Sequence, residues 1–464
     1  EKYKAYMPMG INFPGTVESD AERVTETFSF QLNPRDLSPL RMQYPPRHQV
    51  STGLYRVPGE PVTIELRSLS AESSDIKPEL RIGAHALDLN NFHPSYKKKR
   101  IGYTSDLFPL REGVLQDRKW ASGLIYIESD QNGSDTFDIT ISGAVKAPWF
   151  KLGRDTAEQW RQYIRDYPAP WAELEGQYSV LTLPSALVRD LEDPTPVIHF
   201  YDQVVKRAHA LAGLNDNADD ERDKAPDRLY RFVMDVQLTQ ENPIAISNNY
   251  GVMLRWLGFD NPFRWIDPND SVVFDLLLHE IGHALEPVDH LFELPGSSQV
   301  FADLFIYGDH YRKGDWFLGR RINVAGLTMP YDDSSYGNIL SFVWLFASFI
   351  ENYNYGYDPY IWSESPEVMV SWKGAFMVEL VRHLSDAFIP ELYHRFRHTP
   401  EHLLPDKDNQ QEKTDFFFEM LCEVTGEDLT LIFRRWYVPV SEEAYQRVAG
   451  KGYSYPHRLY HDGL

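Results

Sequence analysis

Two histidines stand four apart, with an acid directly after the first, in "DLLLHEIGHALEP", residues 275–287: His279, Glu280 and His283. Positions four apart on a helix lie on one face, about one turn from each other, so both imidazoles can bind a single ion. Glu280 then points to the side where a water on that ion would sit and could accept its proton, as hydrolysis at a zinc centre requires. The same spacing also arises by chance, as two core histidines bonded to carbonyls. The surroundings favour the ion. Asp270 and Ser271 are good caps for a helix running from Val272, and Val273, Leu276, Leu277, Ile281 and Ala284 recur at helical spacing. Gly282 and Ala284 leave room for a neighbouring element to pack closely.

Catalytic zinc takes three protein ligands and keeps one position open. The third ligand is expected on a second helix, and "SSQVFADLFIY", 297–307, is entered through the "LPGSS" turn, with a gap of fifteen residues between His283 and Gln299. Where a carboxylate would suit the metal stands Gln299, whose neutral carbonyl is a poorer ligand. Asp303, one turn on, could ligate or could hold a ligand histidine. Glu293 lies in the connecting segment. By position, Gln299 ranks first, Asp303 second and Glu293 third. Tyr307, His310 and Tyr336 are available downstream as oxyanion donors, with plain packing as their alternative.

The 464 residues are too many for one comfortable core, and two or more domains are expected. Residues 1–150 read as β-structure: "PVTIELRSL", "GLIYIES" and "DTFDITISGA" alternate apolar and polar residues between Gly, Pro, Asn and Asp, the pattern of a sandwich with one face buried. From "TAEQWRQYIRDY" onward helical periodicity takes over, and 151–464 is expected to form the second domain. "LNDNADDERDKAPDR", 214–228, is dense in charge and reads as a solvated loop. "LYRFVMDVQL" is a plausible strand. "ILSFVWLFASFIENY" from Ile339 reads as a buried helix. In "AISNNYGVML" an edge strand and loop could pair with an extended substrate, leaving Asn248, Asn249 and Tyr250 to contact a sugar or side chain; the plainer reading is an Asn-rich turn closing a strand. Trp149, Trp160, Trp171, Trp372 and Trp436 sit in apolar contexts that suit core better than glycan stacking.

A formal net charge of −22 disfavours nucleic acid and anionic membrane surfaces as partners. No apolar run reaches the roughly 18 residues needed to span a bilayer, so membrane insertion is not expected. With Cys422 as the sole cysteine, neither an intramolecular disulfide nor a cysteine-based zinc knuckle can form, leaving a metal bound through N and O. Glu1 in place of an initiator methionine reads as a processed or trimmed chain.

Several stretches together resemble the enhancin-like peptidases, a family of secreted zinc proteases that degrade mucins and cleave O-glycoproteins. "STGLYRVPGEPVTIEL" (51–66), "ASGLIYIES" (121–129) and "ISGAVKAPWFKLG" (141–153) match the family's β-rich lead-in, and "APWAELEGQYSVLTLPSALVRDLEDP" (169–194) its pre-catalytic segment. "FVMDVQLTQENPIAISNNYGVML" (232–254) stands where the family has a strand and loop before the zinc helix. "FFFEMLCEVTGEDLTLIFRRWYVPVS" (416–441) is similar to its C-terminal signature. The resemblance implies an α+β chain in which the sandwich-like domain is followed by a mainly helical gluzincin (thermolysin-like) metallopeptidase domain. It implies one Zn2+ held by His279 and His283, with Glu280 as general base, and a secreted, cell-surface or periplasmic location. The family's third ligand is a glutamate opening the pattern E-V-x-x-N-L-F, which reads "QVFADLF" here. Gln299 thus departs from the family at a ligand, and Asp303 stands where the family often has Asn.

The leading expectation is therefore hydrolysis of peptide bonds in glycosylated, mucin-like proteins, with a glycoprotein or mucin as partner. Its rival is an inactive peptidase frame that binds glycoprotein or protein, for which Gln299 is the main support. A glycosidase working with paired carboxylates has no pair singled out by context.

Overall fold

The computed structural model describes residues 13–32, 35–68, 78–86, 100, 105–111, 113–117, 122–129, 135–238, 245–255, 261–291, 301–309 except 303 and 307, and 376–456 except 378 and 382. The chain divides into two compact units. The first takes residues 1–37, 45–206 and 226–276, and the second takes 38–44, 207–225 and 277–464.

The first unit opens with an eight-stranded antiparallel sheet. Its strands are β1 (Val24–Leu32), β2 (Gln49–Arg56), β3 (Val62–Ser68), β4 (Glu79–Ile82), β5 (Asp106–Pro109), β6 (Gly113–Asp117), β7 (Gly123–Glu128) and β8 (Asp135–Lys146). The order is β5-β4-β7-β2-β8-β3-β6, with β1 also on β8. Along β8 "DTFDITI" alternates buried and half-buried residues, which places Phe137, Ile139 and Ile141 on the core face. β2 pairs with β7 on both sides of a break in register between Ser51 and Tyr55, and at Leu54 and Tyr55 it also pairs with β8. Two halves that would otherwise be the leaves of a sandwich are thereby one sheet, and Leu80, Ile82, Ile125 and Ile127 of one half share a core with Val62, Ile64, Ile139 and Ile141 of the other. The break needs Gly53. Its φ is +68°, and a Cβ there would lie 2.4 Å from the Trp149 ring.

A six-stranded mixed sheet follows: β9 (Trp149–Lys151), β10 (Trp171–Glu175), β11 (Ser179–Pro184), β12 (Tyr230–Asp235), β13 (Ala245–Asn248) and β14 (Gly251–Arg255), in the order β13-β14-β12-β11-β10-β9. This sheet overturns the expectation of a mainly helical domain after residue 150, and the chain is β-rich. The helix anticipated from "TAEQWRQYIRDY" is only α1 (Ala157–Gln162), closed at its start by a Thr156–Gln159 capping box. The next helix, α2 (Thr195–Leu211), lies in the connection between the parallel neighbours β11 and β12.

The stretch expected as a strand, "LYRFVMDVQL", contains β12, whereas β10 and β11 show no strand alternation because they are buried at every position, β10 with two carboxylates. Each buried charge has a partner: Arg231 Nη1 stands 3.0 Å from Glu173, which also accepts from the Tyr126 hydroxyl, and Glu175 accepts from Trp149 Nε1 and pairs with Lys151. Of the tryptophans, Trp160, Trp171 and Trp436 are buried, Trp149 is half-buried under the Arg154 guanidinium, and Trp372 lies outside the described residues. The segment at Ile339 also lies outside them.

His85 is enclosed in the first unit between the Phe13 and Trp171 rings, with ring centroids 4.6 and 4.4 Å away, and its Nε2 is 3.0 Å from the Met234 carbonyl. Burial pushes its pKa down to about 4; the Asp235 carboxylate opposes that shift and the Arg100 guanidinium adds to it. The unfolded ring binds a proton near pH 6.5 and the folded one resists it. The associated stability is therefore complete above that pH and is lost as pH falls toward 4, by roughly 3 kcal/mol. Urea unfolding midpoints measured between about pH 7 and pH 4 should fall accordingly, and His85→Gln should flatten that slope. An unchanged slope would place the acid sensitivity elsewhere.

Candidate metal centre

The helix α3 (Ser271–Leu285) carries "HEIGH". Asp270 starts it by accepting from the amides of Val272 and Val273 at 3.1 Å, and Arg264 pairs with the same carboxylate. From Leu276 to Gly282 every residue is buried, so the motif lies on a core helix and not on a surface one. His279 and Glu280 are each 5% exposed. The His279 and His283 rings are 4.6 Å apart between centroids and nearly perpendicular, at 87°. Such a pair on one helix face can offer nitrogens to one ion.

A residue that sequence reasoning passed over completes this picture. Glu286 is buried, and its Oε1 lies 2.9 Å from His283 Nδ1, while Oε2 faces His290 Nδ1 at 3.3 Å. A carboxylate on one ring nitrogen fixes the tautomer and turns the other nitrogen, Nε2, toward a metal. The signal was present: Glu286 stands three residues after His283, on the same helical face. Glu286→Gln is expected to weaken zinc binding about 10- to 100-fold, measured by competition with a chelator; unaltered affinity would mean that His283 needs no orienting partner.

The end of α3 is held by a second feature that sequence did not announce. Residues 41–44 run beside the chain leaving the helix: Gln43 and Tyr44 donate their amides to the carbonyls of Glu286 and Ala284, and Val288 donates to Arg41. Arg41 in turn donates to the carbonyls of Phe396 and Thr399 at the end of α4 (Phe388–His398). Part of the N-terminal stretch thus belongs with the histidine helix.

Gly282 accepts a close neighbour. A Cβ there would lie 2.9 Å from both the α-carbon and the carbonyl oxygen of Ala302, in the helical residues 301–302 and 304–306. Backbone cannot give way as a side chain can, so Gly282→Ala should cost about 1–3 kcal/mol by overpacking and disturb the histidine pair with it. A denaturation midpoint equal to that of the parent chain would show that the approach is looser.

Among the described residues no third His, Cys, Asp or Glu joins His279 and His283 in metal-binding geometry. Gln299, Asp303 and Glu293, and the donors Tyr307, His310 and Tyr336, lie outside the described residues. The donor set that is described, two imidazoles and a supporting carboxylate, fits zinc.

Asn248, Asn249 and Tyr250 form the turn of the β13–β14 hairpin in the first unit, where Asn248 faces Gly251 across the strands. The Asn248 side chain accepts the Tyr250 amide at 2.8 Å, which closes the turn, and Asn249 is exposed. The Tyr250 ring is packed by two guanidinium groups, Arg47 at 5.2 Å and Arg81 at 4.8 Å. β13 is the edge of its sheet among the described residues. No described helix is long and apolar enough to cross a membrane.

Comparison with known proteins gives a consistent result. The family described as peptidase M60, enhancin and enhancin-like, matches residues 143–289, and the N-terminal domain of M60-like peptidases matches residues 25–142. The chain is 33% identical over 165 residues to TRPM8 channel-associated factor 3 of Rattus norvegicus, an overlap that takes 35% of this chain and only 17% of that protein. A functionally unknown conserved protein mutant from Bacillus anthracis str. Ames has the same fold, with a TM-score of 0.70 at 18% identity, covering 93% of this chain and 80% of the other. The M60 catalytic domain of Clostridium perfringens ZmpC, solved in complex with the sialyl T antigen, aligns with a TM-score of 0.63 at 13% identity over 93% of this chain and 80% of its own.

Proposed function

Because the chain belongs to the M60 family of enhancin and enhancin-like peptidases, we propose that it is a secreted or cell-surface zinc-dependent endopeptidase cutting peptide bonds in O-glycosylated, mucin-like proteins. The observation that carries this reading is the pair of neighbouring imidazoles on a core helix, with Glu280 between them in sequence and Glu286 on His283. His279 and His283 would hold the ion, with the third ligand drawn from Gln299, Asp303 or Glu293 in that order. Zinc bound there supplies Lewis acidity, polarising the scissile carbonyl and making water a better nucleophile at neutral pH. Glu280 takes the proton from the attacking water and returns it to the leaving amine. Its buried position shields the carboxylate from competing bulk water. Asn248, Asn249 and Tyr250 are assigned to substrate contact, with β13 offering main-chain pairing. A glycan-bearing substrate is supported by the ligand named for the ZmpC domain.

A second reading has one specific observation behind it. Gln299 supplies a neutral amide where the resemblance calls for a glutamate, so the protein groups offered to the metal would carry one negative charge fewer. In that reading the chain binds glycoprotein or protein without cutting it. Incubating the zinc-loaded chain with an O-glycosylated mucin fragment, and with the same fragment stripped of its glycans, separates the possibilities. New peptide termini from the glycosylated fragment alone, seen by mass spectrometry, are the expected result. Binding without new termini would favour the second reading, and free sugar with intact peptide would overturn both.

A further inference from the structure

Away from the histidine helix, the second unit brings three metal-ligating side chains together. His394 and His398 are one turn apart on α4, and Asp223 comes from the acidic loop that follows α2. The His394 Nδ1 is 3.0 Å from Asp223 Oδ1, and the His398 Nε2 is 2.8 Å from Oδ2. The two rings lie side by side, 4.1 Å between centroids and tilted by 34°. The three ligand atoms lie within 4.8 Å of one another. We propose that Asp223, His394 and His398 form a second zinc-class metal site, separate from His279 and His283, that clasps the 214–225 loop to α4.

The donor atoms are close to what such an ion requires. Tetrahedral zinc with bonds of about 2.0–2.1 Å separates its ligand atoms by roughly 3.3 Å. The His398 Nε2–Asp223 Oδ2 distance of 2.8 Å needs only a few tenths of an ångström of opening, and the three ligand atoms already lie within 4.8 Å of one another. Both histidines keep a path to solvent, with side chains 43% and 22% exposed, so water can fill the remaining position.

The carboxylate is supported as a ligand should be. Arg397, 2% exposed, donates to Asp223 Oδ1 at 2.8 Å and anchors itself on the carbonyls of Ala212 and Gly213. Arg397 and His394 Nδ1 thus share Oδ1 while His398 Nε2 faces Oδ2; an ion between the two rings and Oδ2 would leave Oδ1 to Arg397. The charge balance also favours a cation. Asp216, Asp219, Asp220 and Glu221 share the loop with Asp223, and only Arg222 and Lys224 offset them there. One divalent ion accepts both ring nitrogens at once. The clasp would fix a loop that sequence composition alone describes as solvated, next to Ala212 and Gly213, whose carbonyls Arg397 already holds.

This proposal stands apart from the reading of the α3 site, and its test keeps the two separate. The full chain carrying His279→Gln and His283→Gln is stripped with chelator, dialysed against zinc and assayed by elemental mass spectrometry. One zinc per chain is expected, falling to none when His394→Gln and His398→Gln are added. Absence of zinc from the first variant, or its persistence in the second with the same circular dichroism, would overturn the proposal. Should the fourfold variant fail to fold, cobalt added to the His279→Gln, His283→Gln chain gives an independent readout. An intense tetrahedral-type visible spectrum that Asp223→Asn abolishes is expected, and a spectrum no different from aqueous cobalt would overturn the assignment.

Discussion

Replacing Glu280 by Gln is expected to lower glycopeptide cleavage by about two to four orders of magnitude while zinc content stays that of the parent chain. The amide has the size of the carboxylate but cannot take a proton from water, so the base is lost and the shape is kept. At 5% exposure the side chain is almost wholly buried, and a neutral group there costs less to desolvate than a charged one. The unfolding midpoint of the variant, measured beside its activity, separates loss of the base from loss of the fold. Because zinc is retained, the loss would fall on kcat more than on KM. Full activity in this variant would remove Glu280 from the mechanism.

The second large effect lies in the first unit, outside any motif. Arg100 and Asp235 form a fork in which Nε donates to Oδ1 at 2.9 Å and Nη2 to Oδ2 at 2.7 Å, and both side chains are fully buried. The Gln237 amide also donates to Oδ1, and these donors hold the Asp235 carboxyl below the usual carboxylate range although burial alone would raise it. Asp235→Ala leaves a guanidinium in the interior with its main partner gone, a loss of about 3–5 kcal/mol. Thermal and urea unfolding of the variant should both show it. A change under about 1 kcal/mol would mean that water or another group reaches Arg100 when the carboxylate is removed.

The parts of this fold that were legible in sequence are those with one strong local pattern. β8 alternates cleanly because one face meets a core and the other does not, and α3 could be read because Asp270 caps an apolar run. In the six-stranded sheet β12 and the β13–β14 hairpin were legible, but β10 and β11 were not: both are buried at every position, and β10 keeps its charges in tertiary pairs, Arg231–Glu173 and Lys151–Glu175. No window of sequence contains both partners of the first pair, which are 58 residues apart. At the site, His279, Glu280 and His283 announce themselves by spacing, and Glu286 was within the same quoted string. The clasp of residues 41–44 on the end of α3 was not legible at all, since it is made by main-chain hydrogen bonds between distant stretches, such as Gln43 to Glu286, and by the Asp289 amide donating to the Gln43 side chain at a separation of 246. Asp223 and the α4 histidines were invisible for the same reason: a loop read as solvated by its charge meets a helix about 170 residues later, with Asp223 and His394 separated by 171.

The most direct test of the α3 site is diffraction at the zinc absorption edge from crystals of the unaltered chain grown with zinc. An anomalous peak about 2.0–2.1 Å from one ring nitrogen of each of His279 and His283 is the expected result, and the third ligand would be read from the same map. Zinc-edge density absent from between these two rings, in crystals that show it elsewhere on the chain, would contradict the metallopeptidase reading.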